Sequence, residues 1–234
     1  VKFIFLFFLF LIFCFFNNDV TLNYFYTNLE KTNYNLGSLS IPFSIFCYMS
    51  FTQAFNMYDG IDKQSGILAL FYLVFFLFLS NFSFLFLYLI VPLILFVIYN
   101  EKGKIFLGNN GSSFLSFFIA VSAIRLAENE ILTVENIFIL FAIPGYELIR
   151  LFFLRIIKKR NPLQGDLNHI HHLCILKFNY LKTILIIFSL TAIPSLLMLV
   201  NINIYSLILI QLISYISLIY YVKSKYLLNG KNNK

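Results

Sequence analysis

Three clusters of polar side chains interrupt this strongly apolar sequence, and each could do chemistry on a phosphate group. The first cluster, residues 56–62, carries Asn56, Asp59 and Asp62. Residues three apart share a face on a helical turn, so these three side chains are expected to form one stripe. An Asp at membrane depth costs about 2.5–3.5 kcal/mol, which favours a functional role. The alternative is an ordinary acidic loop at a helix end.

The second cluster, residues 100–113, is rich in glycine. Gly103, Gly108 and Gly111 can adopt positive φ and allow close backbone approach. The next membrane span is predicted to begin at Ser112, and the free N–H groups of its first turn could receive a phosphate. The alternative is a simple turn in which Ser112 is the N-cap.

The third cluster, residues 161–172, contains all three histidines of the chain: His169, His171 and His172. Two chemistries fit them, metal ligation or stabilisation and proton transfer at phosphate oxygens. A closed zinc site needs four ligands, and Cys174 is the single cysteine nearby, so phosphate chemistry is favoured. Together the three clusters are typical of phosphoryl transfer assisted by a divalent metal. Their place at a membrane surface indicates a lipid substrate.

The composition predicts an all-α, polytopic integral membrane protein. Hydrophobic residues make up 60% of the 234 residues and charged residues 12%, whereas soluble domains carry about a quarter charged residues. A bilayer core needs about 20 apolar residues as helix. We predict a single domain over residues 1–234 with eight spans: Phe3–Phe16, Leu39–Phe55, Gly66–Ser80, Phe84–Tyr99, Ser112–Leu126, Ile131–Ile149, Leu181–Val200 and Ile204–Val222.

Charge placement predicts the orientation of these spans. If the loops after Tyr99 and Ile149 are cytoplasmic, all of the 17 Lys and Arg lie inside except Lys31 and Arg125. All three polar clusters then face the cytoplasm, and residues 150–159 are expected to extend the preceding helix. The net charge of +7 is explained by topology and by attraction to anionic lipids, so no nucleic-acid partner is expected.

In their order along the chain, the clusters resemble the motifs of the polyprenyl-phosphate N-acetylhexosamine-1-phosphate transferases of glycosyltransferase family 4. The Asn-x-x-Asp-Gly-x-Asp motif of that family is matched by Asn56, Asp59, Gly60 and Asp62. Its Phe-x-Gly-Asp-x-Gly-Ser motif is matched by Phe106, Gly108, Gly111 and Ser112. Its Pro-Phe-x-x-Asp-x-x-His-x-His-His motif is matched by Pro162, Asp166, His169, His171 and His172.

The resemblance implies transfer of an N-acetylhexosamine 1-phosphate from a UDP-sugar to undecaprenyl or another polyprenyl phosphate, with release of UMP. The His-x-His-His form resembles the branch that initiates O-antigen, enterobacterial common antigen, teichoic acid or capsule synthesis. The implied cofactor is magnesium or manganese. The implied location is the inner (plasma) membrane with the active site towards the cytoplasm, and a homodimer is an allowed assembly.

The resemblance also assigns roles to residues. Two carboxylates and the three histidines would be catalytic: Asp59, Asp62, His169, His171 and His172. The metal would be held by Asn109 and Asp59. The substrates would be bound by Asn56, Gly60, Asn100, Phe106, Gly108, Gly111, Ser112 and Asp166.

Three departures from the family pattern bear on these assignments. The family's Asp-Asp pair comes before the segment that starts this chain, so an N-terminal truncation that removes two or three spans is expected. Asn109 stands where a metal-binding Asp is usual, and Glu147 stands where an Asp is common. One alternative is therefore a degenerate member that acts in binding or assembly. Another is an ion-coupled transporter that uses Asp59 and Asp62.

Overall fold

The computed structural model describes residues 2–28, 33–80, 84–101, 103–159, 161, 168–200 and 202–229. These residues form a helical protein with one small antiparallel hairpin, which the sequence patterns did not predict. Its helices are α1 (Lys2–Phe16), α2 (Ser40–Tyr58), α3 (Gln64–Leu79), α4 (Phe84–Glu101), α5 (Gly108–Glu128), α6 (Val134–Ile157), α7 (Ile170–Ile175), α8 (Tyr180–Leu197) and α9 (Ile204–Asn229). The strands are β1 (Tyr24–Tyr26) and β2 (Asn33–Asn35), and short 3-10 turns cover Asn18–Val20 and Gly37–Leu39.

The helical, multi-pass fold class is confirmed. Five described helices are long and apolar enough to cross a membrane, namely α4, α5, α6, α8 and α9. The apolar α3 is shorter, as is the described apolar part of α1. The predicted second span coincides with α2, which is less apolar because it carries Ser, Thr, Gln and Asn side chains. Helix α6 runs on to Ile157, as the expected extension beyond Arg150 requires.

The chain divides into two compact units, residues 1–138 and residues 139–234. In the first unit α2 packs on α5, and α3 packs on both α4 and α5. Gly66 permits the close approach of α3 to α4, since a Cβ there would lie 2.7 Å from Cγ2 of Val97. This contact sits one residue after Ser65, so it also anchors the segment that follows the first polar cluster.

The loop between α1 and α2 is held to the first unit by hydrogen bonds of its backbone. Tyr48 donates from its hydroxyl to the carbonyl of Val20 at 2.6 Å, and the Leu22 N–H donates to Oγ of Ser44 at 2.8 Å. The Glu128 carboxylate at the end of α5 accepts from the backbone N–H of Asn23 at 2.5 Å. These contacts satisfy polar backbone groups of the described loop residues, 17–28 and 33–39, of which the two strands and the 3-10 turns are the regular elements.

In the second unit, Gln211 of α9 joins α6 and α8. Pro194 has no backbone N–H, so the Leu190 carbonyl one turn earlier in α8 loses its helical partner. The Gln211 side-chain amide donates to that carbonyl at 2.9 Å and to the Ile139 carbonyl of α6 at 3.1 Å. Because Gln211 is buried, this contact replaces a hydrogen bond that neither water nor lipid would supply there.

We expect Gln211→Leu to lower the free energy of unfolding by about 1–2 kcal/mol, because it leaves the Leu190 carbonyl unpaired. In a Pro194→Ala background the same change should cost less, because an alanine at this position supplies a backbone N–H to that carbonyl. Denaturant titration of the four variants in mixed micelles measures this coupling. Ser217→Ala, on the exposed side of α9, is the control. Equal losses in both backgrounds would contradict the assignment.

Candidate functional site

The first polar cluster forms a turn that joins α2 to α3. Asn56 lies in the last turn of α2, Asp59 is its C-cap, and residues 59–63 leave the helical path. The Gly60 N–H donates to the Tyr58 carbonyl at 3.0 Å, and Lys63 adopts positive φ before α3 begins. The prediction of one helical stripe is therefore wrong, since Asp59 and Asp62 belong to a turn and Asn56 to a helix.

The Asp59 carboxyl group is half-buried in this turn. Its Oδ1 accepts a hydrogen bond from the hydroxyl of Ser65, in the first turn of α3. Burial raises the pKa of Asp59, the Ser65 hydrogen bond lowers it, and the charge of Asp62 raises it further. Two carboxylates are thus held near each other with incomplete solvation, an arrangement that a cation would stabilise.

Asn100, at the end of α4, holds the turn against the second cluster. Its side-chain oxygen accepts the backbone N–H of Lys63 at 2.5 Å, and its side-chain nitrogen donates to the Ile105 carbonyl at 2.8 Å. Lys63 also pairs with Glu101 at 2.5 Å. Both ends of the buried Asn100 amide are therefore engaged with the chain itself. Its contact with a nucleotide stays a prediction, and its observed role is to position two loops.

The glycine-rich segment has part of the predicted geometry. Gly103 and Gly108 have φ of +62° and +63°, as expected, whereas Gly111 lies inside α5 without positive φ. Helix α5 begins at Gly108, so the predicted start at Ser112 is wrong, and Ser112 is not its N-cap. The side chain of Phe106 is 72% exposed just before the helix, where it is accessible to a ligand.

A hydrogen bond joins the first cluster to the second. Ser112, fully buried one turn into α5, donates from its hydroxyl to the Asn56 side-chain oxygen at 2.6 Å. The Asn56 side-chain nitrogen lies 3.4 Å from the Ser113 hydroxyl. The first unit therefore brings together two segments 56 residues apart in sequence, with the exposed Asn109 in the first turn of the same helix.

The three histidines lie at the start of the short helix α7, in the second unit. Asp166 and Pro162 of the same motif fall outside the described residues. The ring of His171 stacks at 5.3 Å from that of His169 and lies 4.4 Å from that of His172. Burial, followed by the charges of His172 and His169, lowers the pKa of His171 to about 3. His171 is thus a neutral imidazole at physiological pH.

A buried polar group lies beside the histidines, and sequence patterns pointed to Glu147 but not to its partners. Glu147 of α6 is 2% exposed and pairs with Arg150 through two hydrogen bonds, at 2.7 and 2.9 Å. It also accepts from the hydroxyl of Tyr215 in α9 at 2.6 Å and from the Ile170 N–H at 2.7 Å. An acid inside an otherwise apolar span was the available signal, but nothing local pointed to Tyr215, 68 residues away.

Metal donors are sparse in the described part of the chain. No group of three or more His, Cys, Asp or Glu side chains there is placed to hold a metal ion. A site built by the protein alone, of the kind that binds structural zinc, is therefore not formed by these residues. A magnesium ion that shares its ligands with substrate phosphates and water requires fewer protein donors.

Comparisons with known proteins find relatives of the kind that the motifs resemble. The sequence model of glycosyl transferase family 4 matches residues 1–127. A Thermotoga maritima undecaprenyl-phosphate alpha-N-acetylglucosaminyl 1-phosphate transferase is 31% identical over 148 residues, which are 63% of this chain and 47% of that protein. The Yersinia pestis protein of the same name is 30% identical over 152 residues, 59% of this chain and 41% of that protein. The chain thus spans less than half the length of these relatives.

We expect Asp59→Asn to raise the thermal stability of the protein at pH 7 in the absence of divalent metal. A carboxyl whose folded-state pKa is raised destabilises the fold when ionised, so its cost grows as pH rises through that pKa. The gain should therefore shrink as the pH is lowered towards 4. Asp19→Asn, at an exposed acid, is the matched control. Unfolding of each variant at several pH values is the measurement, and a gain independent of pH would contradict the assignment.

Proposed function

We propose a function for this chain from one premise: it belongs to glycosyl transferase family 4. The proposed reaction moves an N-acetylhexosamine 1-phosphate from a UDP-sugar to a polyprenyl phosphate in the membrane and releases UMP. The observation that supports it most is the hydrogen bond between Asn56 and Ser112, which joins two family motifs. Because the chain spans less than half the length of these relatives, the activity and substrates of the whole protein are proposals.

The reaction is a displacement at phosphorus. An oxygen of the polyprenyl phosphate attacks the β-phosphorus of the UDP-sugar and forms a new P–O bond. The bond between the β-phosphorus and the oxygen that bridges it to the α-phosphate breaks, and UMP leaves with that electron pair. Negative charge is present on both phosphates throughout, so the main task of the protein is to bring them together and to offset their charge.

The first cluster fits a divalent cation bound together with substrate. Asp59 and Asp62 are partly desolvated acids whose charges oppose each other, and bound magnesium or manganese would relieve that repulsion. We assign these acids and the side-chain carbonyl oxygen of Asn109 as the protein's donors. When bound, such an ion supplies neutralisation of phosphate charge. The exposed Phe106 and the first-turn N–H groups of α5 are assigned to the nucleotide and its phosphates.

The histidine cluster is assigned to the substrate phosphates, with different tasks for its members. His171 is buried and neutral, so it offers no positive charge at physiological pH. Within the described residues both of its ring nitrogens also lack a hydrogen-bond partner. We therefore assign His171 as a neutral hydrogen-bond donor or acceptor, and His169 and His172 as its neighbours at the phosphates.

One observation favours a second candidate, a member that binds substrates without turnover. Asn109 carries no charge, so metal affinity should be lower than with an Asp at that position. A transporter is less well supported, since Asp59 and Asp62 lie in a turn between helices rather than within a span. For both enzyme and binding protein, we propose the plasma membrane as the location, with the site towards the cytoplasm according to the positive-inside rule.

The direct test is UMP release from UDP-N-acetylglucosamine, with undecaprenyl phosphate and magnesium, by protein expressed from the entire reading frame. We expect turnover that Asp59→Asn and His171→Ala reduce by at least about 100-fold, as expected for groups that act on transition-state charge. Asp19→Asn should retain activity. No turnover with any UDP-N-acetylhexosamine by folded protein would exclude the enzyme and leave the binding protein.

Asn109→Asp separates the two candidates further. An added carboxylate should lower the magnesium concentration that gives half-maximal UMP release, because it adds a charged donor to the site. Asn110→Asp, at the next exposed position of the same helix turn, is the matched control for charge alone. An equal effect of the two substitutions would contradict the placement of Asn109 at the metal.

A further inference from the structure

We propose that Glu147, Arg150 and Tyr215 form a clasp that positions the histidine cluster, and that Tyr215 is a positioning residue for the transfer reaction. The term clasp denotes these three side chains. The inference rests on the proposed function, since it assigns the clasp to the reaction. It adds a residue, Tyr215, that lies in none of the three sequence motifs.

The clasp is a hydrogen-bonded unit around one carboxylate. Arg150 donates to both oxygens of Glu147, Nη2 to Oε1 at 2.7 Å and Nε to Oε2 at 2.9 Å. The Tyr215 hydroxyl donates to Oε2 at 2.6 Å and accepts from Nε of Arg150 at 3.1 Å. A bidentate pair of this kind has a defined direction as well as a defined length.

The clasp forms hydrogen bonds with the backbone on both sides of His169. The Asn168 carbonyl accepts from Nη2 of Arg150 at 2.7 Å, and the Ile170 N–H donates to Oε1 of Glu147 at 2.7 Å. The second contact satisfies one of the free N–H groups at the start of α7, where no side-chain N-cap is present. Both peptide groups that flank His169 are thereby tied to α6.

This arrangement serves orientation better than stability. A buried ion pair adds little net stability, because desolvation of the two charges offsets most of their attraction. In an apolar helix it is also costly to insert. The pair does fix the position of the His169 backbone and the direction of α7. The positions of the His171 and His172 rings depend in turn on that helix. If the histidine rings were displaced by about 1 Å, the rate of a reaction they act on could fall roughly 100-fold.

Tyr215 is the member that can be tested without loss of the fold. It is buried, and its hydroxyl contacts both charged partners. Tyr215→Phe therefore removes its hydrogen bonds to Glu147 and Arg150 and leaves the ion pair between them intact. Removal of Glu147 or Arg150 would instead leave an unpaired charge in the interior, with a risk of misfolding. Tyr220→Phe is the matched control, because Tyr220 is 75% exposed on the same helix.

Two readouts decide the proposal in the protein from the entire reading frame. Hydrogen–deuterium exchange of the Ile170 amide should be about tenfold faster in Tyr215→Phe than in wild type, the factor for one hydrogen bond to a charged group. The kcat of UMP release should fall about tenfold with KM changed less than about twofold. Tyr220→Phe should match wild type in both.

Unchanged exchange at Ile170, or unchanged kcat, overturns the proposal. Faster exchange throughout α8 and α9 with a matching loss of thermal stability also overturns it, because the residue would then support the fold in general. If wild-type protein releases no UMP, the proposed function has failed, and exchange at Ile170 by itself decides whether Tyr215 positions the histidines.

Discussion

Polar groups inside an apolar protein must find their hydrogen-bond partners within the protein, and the described contacts that shape both units follow from this constraint. Gln211 is the simplest example, since its side chain donates a hydrogen bond to the Leu190 carbonyl, which Pro194 leaves without its helical partner. Apolar packing against lipid distinguishes little between one helix face and another. The paired polar groups therefore decide much of which helices meet and at which residues.

The same constraint shapes the first polar cluster. Ser65 donates a hydrogen bond to Asp59, and Ser112 donates one to the side-chain oxygen of Asn56. Asn100 forms hydrogen bonds with both the turn and the segment before α5. Small polar residues thus satisfy and fix the groups that carry the motif. The cost is a half-buried Asp59 carboxyl whose pKa is raised, so this turn is less stable than one without a buried acid.

In the second unit, the need to pair buried polar groups shapes the surroundings of the histidines. Glu147 and Arg150 satisfy the backbone on both sides of His169. Burial, followed by the charges of His172 and His169, lowers the pKa of His171. Arg and Lys side chains supply positive charge in this unit. The three imidazoles differ in burial, since His169 and His171 are buried and His172 is partly exposed.

Much of the fold was predictable from sequence because apolar runs and their interruptions are local properties. The helices, the interruption at Asp59, the positive φ of Gly103 and Gly108, and the order of the motifs follow from residues close in the chain. The start of α5 at Gly108 did not, since Ser112 forms a hydrogen bond with Asn56 in α2 rather than capping its own helix. The partners of Glu147 were also decided only by tertiary structure. A carboxylate in an apolar run needs donors, but no local pattern tells that one of them is a tyrosine 68 residues further on.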